Sequence, residues 1–529
     1  MKLSQINSDS FDSGIWEEKG YRLPAFDVTA VREKTCAEPT WLHFGAGNIF
    51  RAFTAAVLQK ALDAGKHDRG VIVAEGFDYE IIDKAYRPYD NLSLVVLLKS
   101  DGSIEKRVVA SVTESLKADV QFAEDWARLT EIFKAPSLQM VSFTITEKGY
   151  SVAPADLDRG MTPVLMMGKL AALLYQRYLA GAYPITLQSM DNCSHNGDKV
   201  REGVLAYADR WVREGLVEQR FADYLRDRAK VSFPWSMIDK ITPRPDTQVR
   251  EMLMSDGFED NDTIITSRGT YTAPFVNAEE TEYLVIEKDF PNGCPPLDLG
   301  GVMFTDRETV DNVERMKVCT CLNPLHTALA IYGCLLDYTL ISAEMKDEDL
   351  CSLVTKMGYL EAMPVVVDPG VLKPADFIDA VLTKRLPNPF MPDAPQRIAT
   401  DTSQKLPIRF GETIKAYEKK GLPMDDLVLI PLVLAGYARY LTGIDDNGKS
   451  FTPSSDPLLP QLQQIVAGLE VKEGEQDFSC LKKLYSRADV FGTDLYEAGL
   501  GEKIEAMVAE LFAGPGAVRK TLHKYVSQR

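Results

Sequence analysis

Five short apolar runs in the first half of the chain, at 40–44, 70–75, 92–98, 140–146 and 184–190, stand apart from one another, with helix-like segments among them. That alternation is the pattern of a parallel sheet covered by helices, since parallel strands need long crossovers. Several runs end at polar or glycine-containing turns, including Glu147-Lys148-Gly149-Tyr150 and Asp191-Asn192-Cys193-Ser194-His195-Asn196-Gly197. Open α/β sheets bind ligands outside the carboxyl ends of their strands, so these turns are the first places to look for function. Asp101-Gly102, between the run at 92–98 and another at 105–110, is a hairpin signal and predicts an antiparallel insertion. Turn formers cluster at Pro291-Asn292-Gly293-Cys294-Pro295-Pro296, and beyond them the apolar spacing is mainly helical. The expected organisation is an α/β domain with a parallel sheet over 1–295 and a mostly α-helical domain over 296–529.

A length of 529 residues suits several units rather than one. The net charge of −18 and pI of about 4.9 exclude a general nucleic-acid surface, which needs a concentrated excess of Lys and Arg. The N-terminus lacks the apolar centre of a signal peptide, and no uninterrupted apolar run approaches a membrane span, so a cytoplasmic protein is expected. Eight cysteines in so long a chain do not make a disulfide framework, and Cys319 and Cys321 have no partner cluster at zinc spacing. Reduced thiols and no metal site are expected.

Trp41-Leu42-His43-Phe44-Gly45-Ala46-Gly47-Asn48-Ile49-Phe50-Arg51-Ala52 runs from an apolar strand through a glycine turn into a helix. Gly45 and Gly47 suit close approach of a pyrophosphate, but Phe50 stands where the third glycine of the usual fingerprint falls. Taken alone the segment is either a dinucleotide turn or a tight strand-to-helix connection. Glu75, closing the second run, and Asp78 are candidates for ribose hydroxyls and would favour NAD over NADP; they are equally readable as ordinary acids of an acidic protein.

Lys317-Val318-Cys319-Thr320-Cys321-Leu322-Asn323-Pro324-Leu325-His326 places a lysine able to exchange a proton with an alcohol oxygen, an amide to hold that oxygen and an imidazole within one short segment. The competing reading is a helix start, with Asn323 as the cap and Pro324 at the first helical position. Arg397 and Lys405 flank a polar segment and form either a cationic pocket or a solvated pair.

Four ordered motifs resemble the mannitol dehydrogenase family of polyol-specific long-chain dehydrogenases: 44–52, 190–197, Met237-Ile238-Asp239-Lys240-Ile241-Thr242-Pro243, and 317–326. The resemblance implies a Rossmann-like N-terminal domain with a mostly α-helical C-terminal domain, and metal-independent hydride transfer between NAD(H) and a secondary alcohol or ketone. It implies Lys317 as general acid/base and Asn323 and Asn192 as holders of the reacting oxygen. His326, Asp239, Arg397 and Lys405 complete the implied substrate set. Gly45, Gly47, Asn48, Ile49, Phe50, Arg51, Glu75 and Asp78 make up the implied cofactor set.

Within the family, the resemblance is stronger to members acting on hexuronate-derived keto acids. D-Fructuronate to D-mannonate is the first expectation, D-tagaturonate to D-altronate the second, and D-fructose to mannitol the third. It is compatible with a monomer whose partners are small sugar acids or polyols. Two departures accompany it: five residues rather than four separate Lys317 from Asn323, and Pro324 replaces the usual Gly or Ala. Glu314 resembles the glutamate preceding the family's lysine, which implies a local insertion after Lys317. The alternative from another class is a dinucleotide-binding regulatory protein without turnover, against which the ordered polar set argues.

Overall fold

The computed structural model describes residues 1–8 and 11–529. Its chain forms two compact units, Met1–Lys99 with Ser103–Asp311, and Ser100–Gly102 with Asn312–Arg529. The turn-rich stretch at 291–296 is followed by one more strand of the first unit, Met303–Thr305, which pairs with Tyr283–Glu287. The units therefore divide after Asp311 rather than at that turn.

The first unit is built on six parallel strands: β1 (Trp41–Phe44), β2 (Val71–Glu75), β3 (Val112–Lys117), β4 (Met140–Phe143), β5 (Ile185–Ser189) and β6 (Val231–Ser232). They lie in the order β3-β2-β1-β4-β5-β6. Every residue of β1, β2, β4 and β5 is buried, as befits strands covered on both faces. Alternate side chains feed two cores. Leu42, Phe44, Ile72, Ala74, Val141 and Phe143 pack with the helices Ala123–Lys134, Met166–Gly181 and Asn196–Arg213, while Trp41, Val71, Val73 and Met140 pack against Ala55–Asp63. The strand order reverses between β1 and β4, where the Phe44 and Phe143 rings stack at 5.8 Å. In this topology the reversal opens a crevice at the strand ends.

A second sheet holds the expected hairpin, Ser93–Leu98 antiparallel to Ile104–Val109, with Gly102 at φ +84° in its turn. Phe275–Glu279 adds a parallel strand to Ser93–Leu98. The antiparallel pair Ser236–Asp239 and Tyr283–Glu287 belongs to a third, smaller sheet.

The second unit is helical around Leu429–Leu441, all 13 residues of which are buried. A helix apolar on every side needs neighbours on every side. One neighbour is Asn323–Leu335, whose Tyr332 hydroxyl donates to the Leu432 carbonyl at 2.9 Å, with Gly436 under the Tyr332 ring where a Cβ would sit 2.9 Å from it. Glu361 closes the start of Leu429–Leu441: Oε1 accepts from the amides of Val428 (2.9 Å) and Leu429 (2.7 Å), and Oε2 from Ile430 (2.8 Å). The helical run Arg307–Leu335 is long and apolar enough, by length and composition, to cross a membrane, yet 78% of its apolar window is buried inside the protein.

Glu344 is fully buried beside Gly333, where a Cβ would come within 2.2 Å of its Oε1, and neither of its carboxylate oxygens has a hydrogen-bond partner among the described residues. Burial, then the nearby Asp347, pushes its pKa from 4.5 to about 9. The folded protein thus keeps Glu344 protonated at neutral pH while the unfolded chain ionises. Stability associated with this proton is complete below the unfolded pKa and falls as pH rises toward the folded one, by up to about 1.4 kcal/mol per pH unit. Glu344→Gln, which cannot ionise, is expected to gain stability over the wild type progressively from about pH 5 to about pH 8. Melting curves across that range check this, and a gap that stays constant with pH contradicts it.

Candidate active-site elements

At the end of β1 the backbone turns at Gly45, φ +109°, where a Cβ would lie 2.1 Å from the Thr144 carbonyl oxygen. Only glycine is compatible with that approach. A Cβ on Gly47 would meet nothing within 4 Å, so the turn presents open backbone just before the helix that starts at Asn48. Beneath it His43 is buried and stacks on Phe50 at 4.2 Å, with Nδ1 2.6 Å from Ser142 Oγ and Nε2 2.8 Å from Thr144 Oγ1. Burial lowers its pKa to about 3, so it is a neutral strut. Asn48 Oδ1 accepts from Arg51, whose buried guanidinium also reaches the Ala273 carbonyl and Thr272 Oγ1. Arg51 therefore anchors this turn to the 271–273 segment, and Ile49 is half-buried behind it.

Glu75, at the end of β2, is buried; its Oε2 accepts from the Ala46 amide (2.8 Å), and Oε1 from the amides of Phe77 (2.9 Å) and Asp78 (3.1 Å). It ties the glycine turn to the following loop, while burial raises its pKa against those bonds. Asp78 is buried as well and accepts the Thr266 hydroxyl at 2.6 Å. Thr266 belongs to the short hairpin of Ile264–Ile265 and Tyr271–Thr272, which sets the Arg268 guanidinium 4.3 Å from the centre of the Phe77 ring. Phe77 remains 65% exposed. This flat, cation-covered ring above the β2 end was not among the residues singled out from sequence; only the fold brings 268 to 77.

After β4, Thr146 takes φ +64°, rare for a residue with a Cβ, and strain of this kind is held by its surroundings. The holder is Asp191, whose carboxylate accepts from the amides of Ile145 (2.9 Å) and Thr146 (3.0 Å) and from the Tyr150 hydroxyl (2.5 Å). Asn196 is buried and bonds both the Asp191 carbonyl and Ser236, joining the 191–196 turn to the strand that ends at Asp239. Asn192 is exposed in that turn and Asp239 is buried at the strand end.

In the second unit Lys317 is buried at the start of a π-turn, Lys317–Cys321, that leads into Asn323–Leu335. Asn323 does not act as a cap: Leu322 holds the cap position, and no side-chain cap bond is made there. The amide of His326 already donates to the Leu322 carbonyl (3.0 Å), so Asn323 lies inside the helix rather than at its edge. The wider turn is closed instead by the Leu322 amide on the Lys317 carbonyl (3.1 Å), and the Cys319 carbonyl accepts the Thr413 hydroxyl (3.3 Å). A π-turn closes over more residues than an α-turn, which accommodates the extra residue between Lys317 and Asn323 without breaking the helix.

His326 lies one turn on, its Nε2 3.5 Å from Asp393 Oδ2. Burial lowers its pKa; Asp393 opposes this, while Arg409, Arg397 and Arg385 add to it. Arg397 pairs with Asp393 but is otherwise largely exposed, and Lys405 donates to the carbonyls of Ile398 and Thr400. Arg409 donates to Thr327 Oγ1 and, at 3.5 Å, to the Asn323 carbonyl. Lys317, Asn323 and His326 thus share one helical run; Arg397 and Arg409 act on His326, and the same two arginines act on Lys405. Arg409 and Asp393 were not anticipated, because their place beside 323–327 is a long-range contact.

Residues 39–299 match the mannitol dehydrogenase Rossmann domain and residues 309–512 the mannitol dehydrogenase C-terminal domain. The chain is 52% identical to the D-mannonate oxidoreductase of Thermotoga maritima (strain ATCC 43589 / DSM 3109 / JCM 10099 / NBRC 100826 / MSB8), over 98% of each chain. Among solved structures, mannitol 2-dehydrogenase of Pseudomonas fluorescens, in ternary complex with NAD and D-mannitol, superposes with a TM-score of 0.69 at 25% identity over 100% of both chains. A substrate-free D-sorbitol dehydrogenase shares the fold at a TM-score of 0.77 and 23% identity, covering 94% of this chain and 97% of its own. With the β3-β2-β1-β4-β5-β6 sheet in one unit and a helical second unit matched domain by domain, the chain belongs to the mannitol dehydrogenase family.

Proposed function

We propose that this chain is an NAD-dependent oxidoreductase that interconverts D-fructuronate and D-mannonate. The observation that carries the substrate is the near full-length relative named D-mannonate oxidoreductase. The cofactor fits the first unit: an open glycine turn preceding a helix start suits a pyrophosphate, and Phe77 under Arg268 offers a stacking face for an adenine. Gly45, Gly47, Asn48, Ile49, Phe50 and Arg51 would form and support the phosphate turn. Glu75 would serve the ribose end with the acceptor capacity its amide bonds leave, and Asp78 would act by holding the 264–272 hairpin.

When bound, NADH supplies the hydride to the ketone carbon. Lys317 gives its proton to the oxygen as negative charge develops there, and Asn323 and Asn192 donate hydrogen bonds to the same oxygen. In the reverse direction the neutral amine removes the hydroxyl proton. His326, uncharged at neutral pH through burial, orients a substrate hydroxyl, and Asp239 accepts from another. Arg397 and Lys405 contribute positive charge toward an acidic substrate. Eight free thiols suit a reducing compartment, and we place the protein in the cytoplasm.

Incubation with NADH and D-fructuronate should yield NAD and D-mannonate in equal amounts, identified by NMR; absence of D-mannonate overturns the substrate. Phe77→Ala is expected to weaken NADH binding about tenfold, measured by fluorescence titration, because it removes a stacking face. Unchanged affinity would place the adenine elsewhere.

A further inference from the structure

Buried arginines that serve the fold have acceptors on both Nη nitrogens, as Arg51 and Arg439 do. Arg177 uses all its nitrogens, bonding the carbonyls of Tyr183, Phe133, Ala135, Leu138 and Pro184. Arg409, in the π-turn Pro407–Gly411, is different. Its bonds, to Thr327 Oγ1 and the Asn323 carbonyl, both leave from Nη1. Among the described residues no carboxylate pairs with it and nothing accepts from Nη2 or Nε. Burial lowers its pKa to about 10.

The surroundings do not supply the missing charge. Arg385 and Arg397 act on His326 with the same sign as Arg409, and Arg409 and Arg397 both depress Lys405. The carboxylate facing His326 is Asp393, which Arg397 already engages. Asp401 and Asp456 act on Lys405, but Asp456 is occupied by Ser403 and the Leu458 amide. A partly desolvated guanidinium with one edge unused is a fork shaped for a carboxylate.

We propose that Arg409 binds the carboxylate of the sugar-acid substrate through its Nε–Nη2 edge and so selects acids over neutral ketoses and polyols. This rests on the keto-acid reading above. Arg409 touches the carbonyl of Asn323, the residue assigned to the reacting oxygen. In a hexuronate-derived keto acid three carbinol carbons separate ketone from carboxylate, so both ends fall within reach of this one helix start.

The test compares wild type, Arg409→Gln and Arg409→Lys. Calorimetry measures D-mannonate and D-mannitol binding to the NADH-saturated enzyme, and kinetics measures kcat/KM for D-fructuronate and D-fructose. Arg409→Gln is expected to weaken D-mannonate binding about 10²- to 10³-fold, with a much smaller change for D-mannitol, and to collapse the preference for the acid. Arg409→Lys, keeping charge but not the fork, should recover part of the loss. Equal losses for acid and neutral ligands, with the wild type still preferring the acid, would make Arg409 only a support for the Asn323–Leu335 helix and overturn this proposal alone. If Gln does not fold, the same comparison on the Lys variant decides. A wild type that binds D-mannitol as well as D-mannonate would overturn the substrate reading itself.

Discussion

Lys317→Ala is expected to lower kcat for ketone reduction by about 10³- to 10⁴-fold, the upper part of the range for loss of a positioned general acid. The substitution removes the one ammonium on the helical run that also carries Asn323 and His326, and the site around it is buried. Water cannot readily take its place there, and His326, held uncharged by burial, is a poor proton donor at neutral pH. NADH affinity should change little, because the residues assigned to the cofactor belong to the first unit. Stopped-flow single turnover separates the two quantities, and a small primary amine added to the alanine variant should restore part of the rate. A variant retaining a third or more of wild-type turnover, by rough estimate, would remove Lys317 from the proton step.

Glu361→Ala should be among the most destabilising single changes in the second unit, by about 3–5 kcal/mol. The carboxylate lies fully buried at the start of a helix with no exposed residue, and three backbone amides depend on it. Truncation leaves those donors in a space too apolar to hydrate them, and no nearby side chain of the 428–430 segment supplies an oxygen. Glu361→Gln keeps one acceptor oxygen and should recover part of the loss. Urea unfolding of the full chain followed by circular dichroism measures both. An alanine variant within about 1 kcal/mol of wild type would mean that another acceptor caps the helix.

The parallel sheet was legible because its central strands are short, mainly apolar runs, in which a few polar members such as His43, Ser142 and Gln188 do not break the pattern. β3 was not, since Val112–Lys117 carries Thr113, Glu114, Ser115 and Lys117 at the sheet edge, and β6 is only two residues long. Asn323-Pro324 read as a helix start, whereas the helical path continues through a π-turn whose spacing no α-periodicity reveals. Glu75 and Asp78 were visible as acids after a strand, but their tasks within the loop depend on amides and on Thr266, distant in sequence. Arg409 had no local signature: its significance is one edge without acceptors among the described residues, which only packing exposes.

Measuring kcat/KM with NADH for D-fructuronate, D-tagaturonate and D-fructose at matched concentrations, by the loss of NADH absorbance, tests whether this chain is a keto-acid reductase. D-Fructuronate should rank first and D-fructose last by a wide margin. A clear preference for D-fructose would contradict the acid-binding role of the cationic cluster, and inactivity on all three despite NADH binding would contradict the proposed reaction.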